Sequence, residues 1–391
     1  MRDLDGPLAV SVVLEFGLAA IDQSVRLLAT IGGGIEPHHF GVGVHARKRL
    51  AVAVAPTAQH KAIGKELHGD RQFTRVASKL SGAMKAAVYD HYGPPDVLRI
   101  EDVERPLPKE GELLVRVRAT TVTRSDAHTR EANRSNGPFV MAISRLVSGW
   151  NHPRRRILGT EVAGDVVALG ESVRDFAVGD EVFGNTGFGF GCHAEYVCVP
   201  TTVSARKPAN VSFEECAPST DGPLNCLWCF RNAQLRKGET ILVFGASGSI
   251  GTAGVQLARE LGAHVTAVCN TKNVELVRSL GAVEVIDYLE QDFTENGKKY
   301  DLIFDAVGKL SFGRCKASLQ PGGRYLATDH LGNVVLAWWT RRFGDKKVIF
   351  AIPPHYTKDD LLFVRQLIED GKYRAVVDRT YPLEAIVEAT K

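Results

Sequence analysis

No apolar run in the 391 residues reaches the length of a membrane span without interruption; Glu15 and Asp22 break the one stretch long enough to consider. Asp3 and Asp5 interrupt the basic start that a secretory leader needs. The expected location is cytoplasmic, with no membrane partner. Cysteine is sparse and odd in number: seven, irregularly spaced, which excludes a disulfide framework and suits a reducing compartment with free thiols. Charge of one sign is also lacking. Lys and Arg total 48 against 45 Asp and Glu, a net +3, and the two signs are interspersed, so no nucleic-acid partner is expected. Arg154-Arg155-Arg156, the densest basic run, reads as a solvated loop. Metal-ligand spacing is missing too. His38, His39, His45, His60 and His68 follow no ligand pattern, and Cys226-x-x-Cys229, set among Leu227, Trp228 and Phe230, reads as two buried thiols on a helix. No bound metal is expected.

An apolar content of 44% with 24% charged residues is enough for two or three packed domains. The most informative segment is Thr240-Ile241-Leu242-Val243-Phe244-Gly245-Ala246-Ser247-Gly248-Ser249-Ile250-Gly251, an apolar β-rich run that passes through three glycines at i, i+3, i+6 into a helix. Glycines in a strand-to-helix turn allow backbone approaches that a Cβ blocks, and the free N–H groups of a helix start attract a pyrophosphate. The context supports a dinucleotide site: Ser249 to Leu261 reads as an amphipathic helix, Gly262 as its stop, and His264 to Val268 as the next buried strand. Gly245, Ser247, Gly248, Ser249, Ile250 and Gly251 are therefore the candidate phosphate cradle.

Residues 1–83 show short apolar runs without a sustained period and are left without an assigned fold. The economical expectation is a functional chain starting at Met84, after a poorly ordered extension or an upstream misreading of the start. From Met84 the pattern is β-rich: Lys85 to Asp90, Asp96 to Val103, Glu112 to Thr121, Gly159 to Leu169, Glu181 to Phe183 and Ala194 to Val199 read as strands. Glu131 to Arg156 reads as a long irregular insert, a lid or a substrate-facing loop. Beyond Ser212, helices alternate with short strands at 283–286, 301–304 and 323–327, which implies a parallel sheet covered on both faces. Thr357 to Asp370 has apolar residues on a helical period and should stop at Gly371. Another helix is expected after Tyr381-Pro382.

This order resembles the medium-chain dehydrogenase/reductase superfamily, and specifically its zinc-independent quinone oxidoreductase-like branch. The resemblance covers Met84 to the C-terminus. It rests on Met84-Lys85-Ala86, Leu158 to Gly164, Val178 to Gly184, His193 to Val197, the glycine turn and Asp301 to Gly308. It implies an α/β protein with a GroES-like β-rich catalytic domain over 84–211, a doubly wound parallel-sheet Rossmann NADP-binding domain over 212–372, and a return segment over 373–391. In the zinc-dependent relatives a Cys and a His ligate the metal where this chain has Thr123 and Thr160, and the structural-zinc cysteine loop is missing. A hydroxyl lacks the thiolate charge and imidazole basicity of a zinc ligand, so the resemblance implies chemistry without catalytic zinc.

Loss of that metal removes the main electrostatic help for oxidising a simple alcohol, an effect of several kcal/mol, and leaves reduction of an electron-poor acceptor. The implied reaction is hydride transfer from NADPH to a quinone or an α,β-unsaturated carbonyl. By match to the family segment, Thr123, Ser125 and His128 are the candidate catalytic groups, with Asp126 holding the loop; turn hydrogen bonding is the alternative role for each. NAD-selective folds place an acid about 20 residues beyond the glycine turn. Here that place reads Cys269-Asn270-Thr271-Lys272, so no carboxylate repels a 2′-phosphate, and Asn270 and Lys272 are available to bind it. Tyr288 resembles a family tyrosine lining the adenosine phosphate pocket. The alternatives are a zinc-independent alcohol or aldehyde dehydrogenase-reductase, or a non-catalytic relative that binds nucleic acid. The resemblance further implies a small-molecule substrate and a homodimer through the edge of the nucleotide-domain sheet. The family's final strand is missing after the helix at 383–390, which predicts an unpaired edge in the catalytic domain and lowered stability.

Overall fold

The computed structural model of the chain describes residues 9–12, 82–132, 138–328, 332–351 and 354–391. The expectation for residues 1–83 falls outside these apart from Ala9–Val12, which forms a strand, β1, and residues 82–83, where the next strand begins.

The β-rich half contains β2 (Ala83–Val88), β3 (Arg99–Glu104), β4 (Glu112–Val122), β5 (Glu161–Leu169), β6 (Glu181–Asn185), β7 (Tyr196–Pro200) and β8 (Ser204–Arg206). β2 and β3 pair antiparallel as a separate two-stranded sheet. The strand expected from Asp96 begins later, at Arg99, because Pro95 opens a single 3-10 turn over Pro95–Val97. The main sheet runs β15-β1-β4-β5-β6-β8, with β7 also on β4 and β15 formed by Arg379–Pro382. β4 is its spine, eleven residues long and mostly buried.

Two expectations are corrected here. Among the described residues the edge of β4 is covered: β1 lies between β4, to which it is parallel (Ala9 opposite Ala119), and β15, to which it is antiparallel (Ala9 opposite Pro382), and the open edge falls instead on the four-residue β15. The insert at 131–156 is not irregular throughout. After a short helix α1 (Arg124–Arg130) comes α2 (Pro138–Ser148), whose sequence spacing of Phe139, Val140, Ile143, Leu146 and Val147 is helical, with Pro138 at its first position.

The second half is a six-stranded sheet in the order β11-β10-β9-β12-β13-β14, every pairing parallel. Its strands are β9 (Thr240–Phe244), β10 (His264–Cys269), β11 (Glu284–Asp287), β12 (Tyr300–Asp305), β13 (Leu319–Ala327) and β14 (Lys347–Ile349). The helices used below are α3 (Asp221–Asn232), α4 (Ser249–Glu260), α5 (Val274–Ser279), α6 (Gly332–Arg342), α7 (Lys358–Glu369) and α8 (Ile386–Ala389). Parallel strands need such crossovers, and the nearly continuous apolar runs of β9 and β12 follow from burial on both faces. α7 meets its predicted limits: Thr357 and Asp360 form a capping box, and Gly371 takes the left-handed φ of +67° that ends the turn. α4 and Gly262 (φ +81°) do likewise.

One apolar cluster joins the two halves: Ala119, Ala163 and Phe183 of the β-rich sheet share it with Leu224, Phe230, Ile241 and Leu257 of the parallel one. Phe230 and Phe304 meet edge-on, centroids 5.3 Å apart. The two halves therefore share a common core.

Candidate functional site

The glycine turn is built as its sequence requires. Gly245 has φ +77°, and a Cβ there would lie 2.3 Å from Cγ1 of Val307. Its N–H and that of Ala246 both donate to the Val268 carbonyl, at 3.1 and 3.0 Å, and Gly248 N–H donates back to Gly245 at 3.1 Å. Gly251 sits in the first turn of α4, where a Cβ would stand 2.1 Å from the Gly245 carbonyl oxygen and 2.7 Å from Ala246 Cα. Only a hydrogen allows the helix to start this close to the strand. The N-cap of α4 is Gly248, which supplies no side-chain cap, so the first-turn N–H groups of this twelve-residue helix are left for an anion. Ser249 and Ile250 are buried beside it, Ser247 is half-buried, and the Ser249 hydroxyl packs against Gly222 at the start of α3.

The roof of the turn was not legible as such in the sequence. Buried Asp305, at the end of β12, accepts N–H bonds from Val307 at 3.2 Å and Leu310 at 2.7 Å, which folds the 306–310 loop back so that Val307 covers Gly245. Burial raises the Asp305 pKa, and the backbone donors partly offset that rise.

The strand ends align. Val268 is opposite Phe244, and Cys269 opposite Asp287, so Asn270, Lys272 and Tyr288 come to the same sheet end as the glycines. Lys272 is exposed in a 3-10 turn, Tyr288 is half-exposed with its N–H on the Cys269 carbonyl at 3.0 Å, and Asn270 Oδ1 accepts from Asn273 Nδ2 at 2.7 Å. The sequence reading did not weigh Asp287 at this end; its carboxylate accepts the Leu289 N–H at 3.0 Å.

Thr123, Ser125 and His128 all belong to the start of α1, straight after β4. The structure separates them. Thr123 is the N-cap: its hydroxyl accepts from Asp126 N–H at 3.2 Å and donates to Asp126 Oδ2 at 2.8 Å, so its proton is already committed within a capping box. Asp126 is buried and also accepts from Gly159 N–H at 2.9 Å, which makes it the holder of this loop, as expected. Ser125 is 8% exposed, and among the described residues its hydroxyl has no hydrogen-bond partner. His128 is half-buried, with Nε2 facing Nε of Arg124 at 3.4 Å. Cys226 and Cys229 are buried on α3, and all seven cysteines are free thiols.

Glu161 is the group sequence reasoning missed. Its buried carboxyl receives Thr220 N–H at 3.2 Å, Thr220 Oγ1 at 2.7 Å, Asp221 N–H at 2.7 Å and Thr121 Oγ1 at 2.8 Å, tying β4 and β5 to the start of α3 across the two halves. The signal available was one acid at the head of an apolar strand. Burial, reinforced by the neighbouring Asp221 carboxylate, pushes its pKa up to about 7. The folded state therefore holds this proton more tightly than the unfolded state. The resulting stability is fully present below the ordinary carboxyl pKa and is lost as pH rises through about 7. Glu161→Gln keeps an acceptor for the α3 donors, so it should flatten the dependence of melting temperature on pH between about 5 and 8. Thermal melts across that range test this, and an unchanged slope would refute it.

Two family models match the chain: a zinc-binding dehydrogenase family over residues 280–391 and an alcohol dehydrogenase GroES-like domain over residues 109–209. The chain is 30% identical over 332 residues to a chloroplastic quinone-oxidoreductase of Triphysaria versicolor, covering 80% of this chain and 95% of that one. It is 33% identical over 318 residues to a chloroplastic NADPH-dependent alkenal/one oxidoreductase of Arabidopsis thaliana, covering 78% and 75%. The solved quinone oxidoreductase of Coxiella burnetii superposes with a TM-score of 0.67 at 25% identity, covering 79% of this chain and 94% of that one.

The residues present do not fit the zinc that the first family description carries. Thr123 is spent on Asp126, Glu161 on four donors, and buried His193 Nε2 on the Thr121 carbonyl at 2.8 Å, which leaves Nδ1 alone without a partner. Among the described residues no three His, Cys, Asp or Glu side chains are arranged so that they could hold a metal ion. A nicotinamide dinucleotide does fit, because the glycine cradle and the uncapped helix start are shaped for a pyrophosphate. With both domain types, their order, this cradle and full-length relatives in agreement, the chain is a member of the medium-chain dehydrogenase/reductase superfamily, of its quinone oxidoreductase-like group of nicotinamide-dependent oxidoreductases.

Proposed function

We propose that the protein is an NADPH-dependent reductase of quinones or α,β-unsaturated carbonyl compounds that works without catalytic zinc. The observation that carries the cofactor choice is the rim of the cradle, where exposed Lys272 and half-buried Asn270 follow β10 and the Asp287 carboxylate, at the end of β11, accepts the Leu289 N–H. The acceptor class is supported by the names of the relatives, a quinone-oxidoreductase and an alkenal/one oxidoreductase, together with a donor set that does not suit zinc. Bound NADPH supplies the hydride. The chain's own part is to hold the pyrophosphate at α4, to exclude water under the Val307 loop, and to stabilise charge that develops on the acceptor's carbonyl oxygen.

We assign that last role to the Ser125 hydroxyl, which, unlike the Thr123 hydroxyl, is not committed to a neighbouring carboxylate. His128 is the assigned proton relay and Thr123 a structural cap. The free thiols suit a reducing compartment such as the cytoplasm. β14, three residues long at the sheet edge, is the strand through which a second copy would pair. A zinc-independent alcohol or aldehyde reductase is the second reading of the same site.

Lys272→Glu should weaken NADPH binding by about tenfold and leave NADH within about twofold, because it replaces an attractive charge at the 2′-phosphate by a repulsive one. The two dissociation constants, taken from nicotinamide fluorescence at low salt, test it. Equal weakening for both cofactors would count against the assignment.

A further inference from the structure

The backbone that leads into Ser125 depends on a strand from far away in the sequence. β4 ends at Val122, and Thr123 follows at once as the cap of α1. On one side of β4, β5 pairs as far as Thr120, opposite Val162. On the other side β7 covers Glu112–Arg116, and the Glu195 carbonyl accepts the Val117 N–H at 2.8 Å. From there β1 takes over, in register from Ala9 opposite Ala119 to Val12 opposite Val122. Among the described residues Thr121 and Val122 have no other strand partner. Side chains also anchor Thr121, whose hydroxyl donates to Glu161 at 2.8 Å and whose carbonyl accepts from His193 Nε2 at 2.8 Å. Val122 is buried, and a buried backbone group left without a partner is costly, so pairing with β1 fixes the residue on which the cap of α1 stands.

The other neighbour of β1 is β15, antiparallel, with Val12 opposite Arg379 and Ala9 opposite Pro382. Among the described residues β15 pairs with no other strand. It runs through Leu383 into α8, and Leu383, Ile386 and Ala389 share an apolar cluster with Val122, Tyr89 and Leu158. β1 is therefore the interior strand of a three-strand ladder, and without it a slot one strand wide separates β4 from β15. The sequence of β1 suits the slot: Val10 and Val12 are β-branched, and no proline interrupts Ala9–Val12. Residues 13–82 separate it from β2, so it enters as an independent strand rather than as the arm of a hairpin. Backbone pairing of this kind is how a sheet accepts an added strand.

We propose that Ala9–Val12 is a working part of the enzyme: it fills the slot between β4 and β15 and thereby positions the turn that carries Ser125. The proposal rests on the reading of Ser125 as the group that stabilises charge on the acceptor. It departs from the expectation that the functional chain starts at Met84, which rested on the lack of a sustained period in residues 1–83 and so could not register a four-residue strand whose partners lie over a hundred residues on.

The test uses the full chain in three forms: wild type, Val10→Pro with Ser11→Pro, and Val10→Ala with Ser11→Ala. Neighbouring residues of a strand face opposite ways, so the two prolines remove one backbone bond toward β4 and one toward β15, whereas the alanines keep both. Amide hydrogen exchange, NADPH affinity and kcat with an enone are read on each. In wild type the amides of 9–12 should be as protected as those of 119–122. In the proline form, amides over 119–122 and 379–382 should exchange at least about tenfold faster and kcat should fall at least about tenfold, with the NADPH dissociation constant within about twofold of wild type. The alanine form should match wild type. A peptide of residues 7–14, added in excess to the proline form, should slow the exchange and raise kcat again. Unprotected amides at 9–12 in wild type overturn the proposal whether or not the proline form folds. So does a proline form with wild-type exchange, or one with faster exchange and unchanged kcat. If wild type turns over no acceptor, the reading of Ser125 fails, and the exchange data alone decide whether β1 holds the end of β4.

Discussion

Replacing Gly251 by alanine is expected to weaken NADPH binding by about a hundredfold or more. The added methyl group would meet the Gly245 carbonyl oxygen at 2.1 Å and Ala246 Cα at 2.7 Å, contacts with main-chain atoms that no rotamer change relieves. The start of α4 must then move off the end of β9, and its N–H groups move with it. Losing two aligned bonds to a pyrophosphate costs about 3 kcal/mol, which is the stated factor. Gly313→Ala is the control, since a Cβ there meets nothing within 4 Å. A cofactor titration on both variants decides it, and near-wild-type affinity in Gly251→Ala would mean that the pyrophosphate does not sit at this turn.

Ser125→Ala should lower kcat for an enone or quinone by about a hundredfold with the NADPH dissociation constant unchanged, the pattern for a group that acts only in the transition state. Thr123→Val should behave differently. Thr123 caps α1 and is bonded to Asp126 on both sides, so its loss should show first in melting temperature. Steady-state kinetics and melts on the two variants separate the roles. A Ser125→Ala enzyme with full kcat would remove the hydroxyl from the mechanism.

The glycine turn, the parallel sheet and α7 were legible because each carries its signal locally: glycines where backbone contact requires them, apolar strands, and a cap at each helix end. That Lys272 and Tyr288 stand at the glycine end of the sheet was legible because strand ends in a parallel sheet line up whatever the side chains do. Other features depend on partners far away in sequence. Glu161 looks like a misplaced acid until Thr220 and Asp221, some sixty residues on, are brought to it. Asp305 is unremarkable until the 306–310 loop closes over Gly245. β1 could not be foreseen, since four residues with no pattern of their own gain meaning only between β4 and β15. α6 defeated periodicity for a physical reason: its apolar residues face outward, so the sequence shows no inward stripe.

The most direct test of the central claim is to titrate the purified full chain with NADPH and with NADH in the presence of a strong zinc chelator, and then to add a quinone or a 2-alkenal. The account predicts tighter binding of NADPH, oxidation of the bound cofactor once acceptor is added, and no effect of the chelator. A folded sample that binds neither cofactor, or whose turnover stops with the chelator, would contradict it.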